Sequence, residues 1–190
     1  MMSYYLVIDT ETSGLMDFSR PADAPHQGRL AEFAMIRLDH EGRYLARYRT
    51  YIHPDGWAMT TGATRLNGLT NAFLQKHGQP VGPLLSAWGT EVAAGDVSIV
   101  GYNVRFDLKV MRGELRRAGQ SDYYRQTTSV DLMRIMTPIC RIPGRRGWKW
   151  PTLTEACVYY GIPLRHAHGA AWDALATARL FRRLRKEGRV

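Results

Sequence analysis

The stretch "YYLVIDTETSG", residues 4–14, carries two carboxylates directly after an apolar run. The run is aromatic and aliphatic without alternation, which favours a β-strand covered on both faces, as in the middle of an α/β sheet. Asp9 and Glu11 are two positions apart, so on an extended chain they point to the same side. Carboxylates held so close either share a proton or bind a cation, and an all-oxygen site suits Mg²⁺ or Mn²⁺. The alternative is a plain polar turn that ends the strand.

Working outward from this stretch, the pattern predicts strands first and then an alternation of strands and helices. Strands are expected over 30–38 and 43–54 as a hairpin, over 97–103, and just before Asp131. Helices are expected in short pieces over 58–77 broken by Gly62 and Gly68, then over 83–94, 105–119, from about Asp131, over "TLTEACVYYG" with a capping box of Thr152 and Glu155, and at the C-terminus. Residues 15–28 and 141–151 are expected to be loops. This order predicts an α/β fold with a central mixed sheet, and 190 residues predict a single domain.

The charge balance points to a polyanionic partner. Lys and Arg total 26 against 17 Asp and Glu, for a net charge of +9, and nucleic acid is the commonest partner of so basic a chain. The alternative is that the basic clusters are solvated helix faces and a solubilising tail. The clusters are Arg112, Arg116 and Arg117; Arg141, Arg145, Arg146 and Lys149; and Arg182, Arg183, Arg185, Lys186 and Arg189.

The sequence predicts a cytoplasmic protein without a membrane partner. It shows no apolar run of membrane-spanning length and no secretory signal. Its two cysteines have no metal-binding spacing, which fits a reducing compartment.

Two more acids and a histidine stand where the predicted elements begin or end. Asp107 lies in the first turn of the helix that follows the strand 97–103, where a favourable charge near a helix N-terminus is the alternative interpretation. Asp173 shares a face of the C-terminal helix with Thr177 and apolar residues, so it should face the core and need a positive partner. His168 lies five residues earlier, where it can accept a proton, unless it or His166 only caps the loop.

Together these residues resemble the motifs of the DEDDh 3′–5′ exonucleases, which include proofreading exonuclease subunits, ribonuclease T and oligoribonuclease. "VIDTETSGL" is similar to the first motif, "VGYNVRFDLKVM" to the second and "HGAAWDA" to the third. The three stand in the family's order at suitable intervals, and the resemblance extends through nearly the whole chain. The departures are a long loop 16–28, Tyr102 before Asn103 where many members have His, and the basic, aromatic stretch 144–150.

The resemblance implies a ribonuclease H-like fold, with a five-stranded mixed sheet flanked by helices, and a two-metal phosphodiesterase. Two divalent ions, Mg²⁺ or Mn²⁺, would be held by Asp9, Glu11, Asp107 and Asp173, and Asp9 would bridge both. His168 would be the general base. Thr12 and Leu15 would contact the terminal nucleotide, and Asn103, in the second motif, would be a further substrate-binding residue.

The expected activity is release of nucleoside 5′-monophosphates from 3′ ends, with single-stranded DNA as the expected substrate. Phe106 either stacks on a base or packs in the core, and the stretch with Arg145, Arg146 and Lys149 either binds single strands or is a plain surface loop. The alternatives are an RNA 3′-end trimmer or short-oligonucleotide hydrolase, and a non-catalytic nucleic-acid-binding or polymerase-associated module. A DNA polymerase is a possible partner.

Overall fold

A five-stranded mixed sheet forms the centre of the molecule. The computed structural model describes residues 4–93, 96–121, 127–164 and 169–190. The strands are β1 (Tyr4–Thr12), β2 (Leu30–Asp39), β3 (Tyr44–Tyr51), β4 (Val97–Gly101) and β5 (Thr128–Asp131), in the order β3-β2-β1-β4-β5. β2 runs antiparallel to both of its neighbours, β1 and β3, whereas β1, β4 and β5 are parallel. The predicted α/β fold with a mixed five-stranded sheet is therefore confirmed.

Helices cover both faces of the sheet. They are α1 (Thr61–Asn67), α2 (Asn71–His77), α3 (Val81–Ala93), α4 (Val104–Arg117), α5 (Leu132–Cys140), α6 (Leu153–Tyr159) and α7 (Ala170–Lys186). Successive side chains of β1 point to opposite faces of the sheet and so belong to two halves of the core. Leu6 and Ile8 pack with α3 and α4, whereas Val7 packs with α5, α6 and α7. In the described part of the chain, no helix combines the length and the apolar character that crossing a lipid bilayer would need.

Three predicted details differ from the structure. β1 continues to Thr12, because its backbone pairs with β2 along its whole length, so Asp9 and Glu11 lie within the strand instead of beyond it. Gly62 does not break α1, since Thr60 caps the helix just before it. The stretch 141–151 contains a small hairpin in place of a plain loop, formed by β6 (Pro143–Gly144) and β7 (Gly147–Trp148).

Candidate active site

The first two carboxylates are held by the backbone of β1. Asp9 pairs with Ala34 and Glu11 with Glu32 across the β1–β2 ladder, and a bulge follows between Glu11 and Thr12. The parallel pairing with β4 ends earlier, at Val7 and Val100. β1 therefore extends beyond the carboxyl end of β4, where open α/β sheets bind their ligands.

Asp173 reaches these two carboxylates from α7. Ala170, Ala174 and Ala178 are fully buried on the face that packs on the sheet, and such small side chains allow a helix to approach closely. One carboxylate oxygen from each of Asp9, Glu11 and Asp173 lies within 4.8 Å of the other two. The first and last regular elements of the fold thus meet at one cluster of acids.

Asp107 is buried near this cluster, but it does not belong to the set of acids whose oxygens lie within 4.8 Å of one another. It lies in the first turn of α4, and the Thr10 hydroxyl donates a hydrogen bond of 2.7 Å to its Oδ1. Thr10 points to the α4 face of β1, opposite to Asp9, so Asp107 approaches from the other side of the strand. Its charge is nevertheless among the causes that raise the pKa of Asp9.

When no cation is bound, the carboxyl groups of the site favour their protonated form. Burial, and then the charges of Asp107 and Asp173, hold the pKa of Asp9 well above its ordinary range. Burial raises the pKa of Glu11 to about 7, although a hydrogen bond from Asn67 opposes the shift. Burial also raises the pKa of Asp107 to about 7, against the hydrogen bond from Thr10. Ionisation of all these groups requires a compensating positive charge, so this oxygen donor set fits divalent cations.

Glu32 is a residue of the site that sequence reasoning missed. It is buried opposite Glu11, and its Oε1 accepts a hydrogen bond of 2.7 Å from Arg49 on β3. Its Oε2 accepts a hydrogen bond of 3.3 Å from the backbone N–H of Ala170, at the start of α7. Glu32 therefore ties the N-terminus of the helix that carries Asp173 to the sheet. A single acid within the apolar run "LAEFAMI" was the available signal.

A cavity of about 930 Å³ opens beside Glu11. We call it the Glu11 cavity; its lining includes Thr12, Leu15, Trp57, Leu66, Asn67 and Phe106. Thr12 is nearly buried and its hydroxyl donates to the Gly14 carbonyl at 2.8 Å, whereas the side chain of Leu15 is 92% exposed. An apolar side chain so exposed at the edge of a cavity is suited to covering an apolar or aromatic ligand group.

The loop 15–28 forms one wall of the Glu11 cavity and is fixed to α4. Buried Glu114 accepts two hydrogen bonds from Arg29, of 2.8 and 2.9 Å, just after the loop. The Lys109 ammonium donates to the Arg20 carbonyl at 2.7 Å. A Cβ at Gly113 would lie 2.5 Å from the Ala22 carbonyl oxygen, so only glycine allows this approach of loop and helix. The long loop is thus a supported wall.

The other predicted substrate-binding residues lie away from this cavity. Asn103 is the N-cap of α4 in a left-handed conformation, and its backbone N–H donates to Asp131 Oδ1 at 3.0 Å. Arg145, Arg146 and Lys149 belong to the hairpin of β6 and β7, and Lys149 pairs with Glu155 Oε1 at 2.6 Å. His168, with the alternative base His166, falls in residues 165–168, outside the described residues.

A family model identifies the protein class to which this arrangement belongs. The model RNase_T, described as an exonuclease family, matches residues 6–181. The chain belongs to this exonuclease family. The predicted membership of the DEDDh 3′–5′ exonuclease superfamily is confirmed, and with it the prediction of a hydrolase that acts on nucleic acid.

Named relatives of this exonuclease domain are much longer than the chain. It is 28% identical to the 3′-5′ exonuclease DinG of Bacillus subtilis, over 93% of this chain and 17% of DinG. It is 25% identical to a PolC-type DNA polymerase III of Streptococcus pneumoniae, over 93% of this chain and 11% of the polymerase.

The fold is similar to that of exonuclease I from E. coli. A structure of that enzyme with a dT13 oligonucleotide gives a TM-score of 0.80 at 25% identity, covering 96% of this chain and 41% of exonuclease I. The sheet and helices around the acidic cluster therefore form the ribonuclease H-like fold that the resemblance implied.

Proposed function

We propose that this chain hydrolyses single-stranded DNA from the 3′ end and releases nucleoside 5′-monophosphates. The observation that carries the proposal is the convergence of Asp9, Glu11 and Asp173 within 4.8 Å, beside a cavity of about 930 Å³. Carboxylates in that arrangement can hold cations against a phosphodiester, and the cavity has room for a nucleoside. Single-stranded DNA as the substrate is supported by E. coli exonuclease I, which has been seen with dT13 and dA16 oligonucleotides.

We further propose two divalent ions, Mg²⁺ or Mn²⁺, as cofactors. Asp9, Glu11 and Asp173 would hold them, and Asp107 would complete the set from the other side of β1. Bound divalent ions neutralise phosphate charge and make a bound water more acidic. His168 is proposed as the general base that accepts the proton of this water.

The Glu11 cavity is proposed to bind the terminal nucleotide. Leu15 and Leu66 are both highly exposed where they line it, and their apolar side chains can pack on the base. Thr12 lies deeper, one position from Glu11, which suits contact with a terminal sugar hydroxyl. Phe106 lines the same cavity and lies 6.5 Å from the ring of Phe18, so one of its faces is supported by the loop 15–28.

The test is hydrolysis of 5′-labelled oligonucleotides, resolved on a gel. Single- and double-stranded DNA and RNA are incubated with Mg²⁺, with Mn²⁺ and with chelator. We expect a descending ladder on single-stranded DNA with either metal and none with chelator. Asp9→Asn keeps the side-chain shape and removes its charge, so it should produce no ladder.

Three outcomes of this test contradict parts of the proposal. A ladder made by Asp9→Asn at the parent rate assigns the activity to a contaminant. Faster shortening of RNA than of DNA replaces the DNA substrate by the RNA trimmer named as an alternative. Intact substrates under every condition reject catalysis by this chain and favour a module that only binds nucleic acid.

Two wider expectations stay predictions. The first is that residues 1–190 act as a single domain. It stays a prediction because the match covers only a part of each longer relative. Partnership with a DNA polymerase is the other, and its support is the match to 11% of a PolC-type polymerase.

A further inference from the structure

The stretch 143–150 forms a basic, aromatic hairpin whose tip is two arginines. We call it the basic hairpin. Pro143 pairs with Trp148 and Gly144 with Gly147, so Arg145 and Arg146 form the two-residue turn. Trp148 and Trp150 follow, with 53% and 62% of their surface exposed. Exposed indole rings beside guanidinium groups suit a ligand that presents flat bases and phosphates together, such as a single nucleic-acid strand.

Neither arginine at the tip pairs with a described acid, in contrast to several basic residues elsewhere on the surface. In the described residues, Arg116 pairs with Asp23, Arg117 with Glu114 and Arg183 with Glu187. Arg145 and Arg146 are exposed and form no ion pair with any described residue, whereas Lys149 pairs with Glu155. The free charge of the basic hairpin is thus concentrated at its turn.

The base of the hairpin is fixed in place. The Tyr102 hydroxyl lies 2.8 Å from the Pro151 carbonyl oxygen and 3.0 Å from that of Thr152, and donates to this pair of acceptors. Thr152 and Glu155 form a capping box at the start of α6, and Lys149 pairs with the same Glu155. A hairpin held at its base loses less conformational freedom when it binds a ligand.

The anchor places the hairpin at the same end of the sheet as the carboxylates. Tyr102 directly follows β4, the strand next to β1, and precedes the helix that carries Asp107. On the other side, Ala156 of α6 packs in one buried cluster with Ala170 and Ala174 of α7, the helix that carries Asp173. The Glu11 cavity, by contrast, is lined by α1 and the loop 15–28.

We infer that the basic hairpin binds the single strand on the 5′ side of the terminal nucleotide, with bases stacked on Trp148 and Trp150 and phosphates paired with Arg145 and Arg146. This inference rests on the proposed function, which places the 3′ nucleotide in the Glu11 cavity. The strand then leaves the cavity across the carboxylates and passes the end of β4, where the hairpin is rooted. The hairpin sets affinity for long strands and takes no part in hydrolysis.

The test compares a long oligothymidylate with a p-nitrophenyl ester of thymidine 5′-monophosphate, which fills the cavity alone. Trp148→Ala/Trp150→Ala should raise KM for the long strand about 10-fold or more, since each lost stacking contact weakens binding several-fold. Its kcat/KM for the small ester should equal that of the parent, which also shows that the variant is folded. Trp148→Phe/Trp150→Phe keeps aromatic faces and should restore most of the affinity.

The arginines are tested by the salt dependence of binding to a fluorescent oligothymidylate, measured by anisotropy with chelator. Arg145→Ala/Arg146→Ala should lower the slope of log Kd against log salt concentration by about 1.4, because each phosphate contact to a single strand contributes about 0.7. The matched control is Arg47→Ala/Arg182→Ala. This variant also removes two positive charges, from arginines that lie over the ring of Tyr44. Tyr44 begins β3, which forms the edge of the sheet opposite to β5, so the slope should stay nearly unchanged.

The outcomes separate this inference from the proposed function. Parent protein that hydrolyses both substrates, with hairpin variants that keep the parent KM and salt slope, overturns the inference and leaves the function standing. Parent protein that hydrolyses neither substrate rejects the function, and anisotropy still shows whether the hairpin binds single strands. A slope lowered equally by Arg47→Ala/Arg182→Ala also overturns the inference, because the effect is then one of net charge.

Discussion

Each acidic side chain of the site is positioned by a different device. Asp9 and Glu11 take their direction from the β1 backbone, which pairs with β2 on one side. Asp107 accepts a hydrogen bond from Thr10, and Asp173 depends on the close approach of α7 to the sheet. Because these devices are independent, single substitutions can separate chemistry from positioning.

At the residue scale, His168→Ala should lower turnover by about 10²–10⁴-fold, the usual effect of losing a general base. Stabilisation of the protein by Mn²⁺ should persist, because the carboxylates remain. Turnover of labelled single-stranded DNA and the melting temperature with and without Mn²⁺ are the measurements. His166→Ala is the matched control, and unchanged turnover of His168→Ala, with a loss in His166→Ala, would move the base to His166.

Glu32→Ala should weaken metal binding although Glu32 is not among the proposed ligands. It removes the acceptor of the Ala170 N–H, so the start of α7 and Asp173 lose a tie to the sheet. Loss of such a supporting contact typically costs about 10- to 100-fold in metal affinity or activity. The measurement is the Mn²⁺ concentration that gives half-maximal hydrolysis, which should rise by about 10-fold or more.

Two variants show whether the effect of Glu32 is one of positioning. Glu32→Gln keeps an acceptor for Ala170 and should recover much of the metal affinity. Glu91→Ala removes another glutamate that pairs with an arginine of the sheet, because Glu91 of α3 lies 3.4 Å from Arg37 of β2. Glu91 is more exposed than Glu32 and lies away from the cluster. An equal rise in the Mn²⁺ requirement of Glu91→Ala would reduce the role of Glu32 to general stability.

At the element scale, α4 both carries Asp107 and supports the wall of the Glu11 cavity. Its contacts with the loop 15–28 run through Lys109, Gly113 and Arg117, and Glu114 binds Arg29 just after the loop. Arg105 and Lys109 also lie over the ring of Phe18, at 4.7 and 5.0 Å from its centroid. Movement of the loop away from α4 would therefore open the cavity next to a proposed metal ligand.

Gly113→Ala should displace the loop and raise KM. The new Cβ would lie 2.5 Å from the Ala22 carbonyl oxygen, and overpacking of this kind costs about 1–3 kcal/mol. That cost exceeds the roughly 1 kcal/mol that alanine gains over glycine inside a helix. The measurements are the melting temperature, which should fall, and KM for single-stranded DNA, which should rise.

Gly82→Ala is the matched control for Gly113→Ala. Gly82 lies in the first turn of α3, and a Cβ there meets nothing within 4 Å. Its melting temperature should stay level or rise, with KM unchanged. If Gly113→Ala behaves in the same way, the loop is free to shift and does not shape the cavity.

The elements could be predicted from sequence where the signal is local, and they could not where it depends on pairing. Thr152 and Glu155 predicted the start of α6 because a capping box is complete within four residues. The end of β1 was placed too early, since only its partner β2 shows that the strand continues through Asp9 and Glu11. Glu32 was missed for the same reason, because its partners come from β3 and α7.

At the scale of the whole molecule, a chain of net charge +9 encloses an acidic cluster. The basic surface attracts a polyanion, while the cluster repels its phosphates until cations are bound. Metal binding should therefore control both catalysis and the stability of the fold.

The stability of the metal-free protein should fall as the pH rises from about 4 to about 7 and then level off. The pKa values of Glu11 and Asp107 are raised to about 7 in the folded state, above the ordinary values near 4 of an unfolded chain. Between these values the folded state keeps protons that the unfolded state has released, so each rise in pH favours the unfolded state, and this effect ends once both states are ionised. Melting in chelator at a series of pH values measures the effect.

Added Mn²⁺ should stabilise the protein more at about pH 8 than at about pH 5.5, because protons compete for the same oxygens at low pH. At about 100 times the dissociation constant, binding contributes about 2.7 kcal/mol, or a rise in Tm of roughly 5–10 °C for a chain of this size. Asp9→Asn should melt higher than the parent in chelator at about pH 8, and gain less from Mn²⁺. An equal gain from Mn²⁺ at both pH values would contradict metal binding at these carboxylates.

The meeting of β1 with α7 has a consequence for how the enzyme is made. During synthesis the ribosome releases β1 first and α7 only after nearly all of the residues described here. A nascent polypeptide that still lacks α7 therefore holds Asp9 and Glu11 without Asp173, and under the proposed function it should not hydrolyse the nucleic acids around it. The formation of α7 would then be the step that completes the active site.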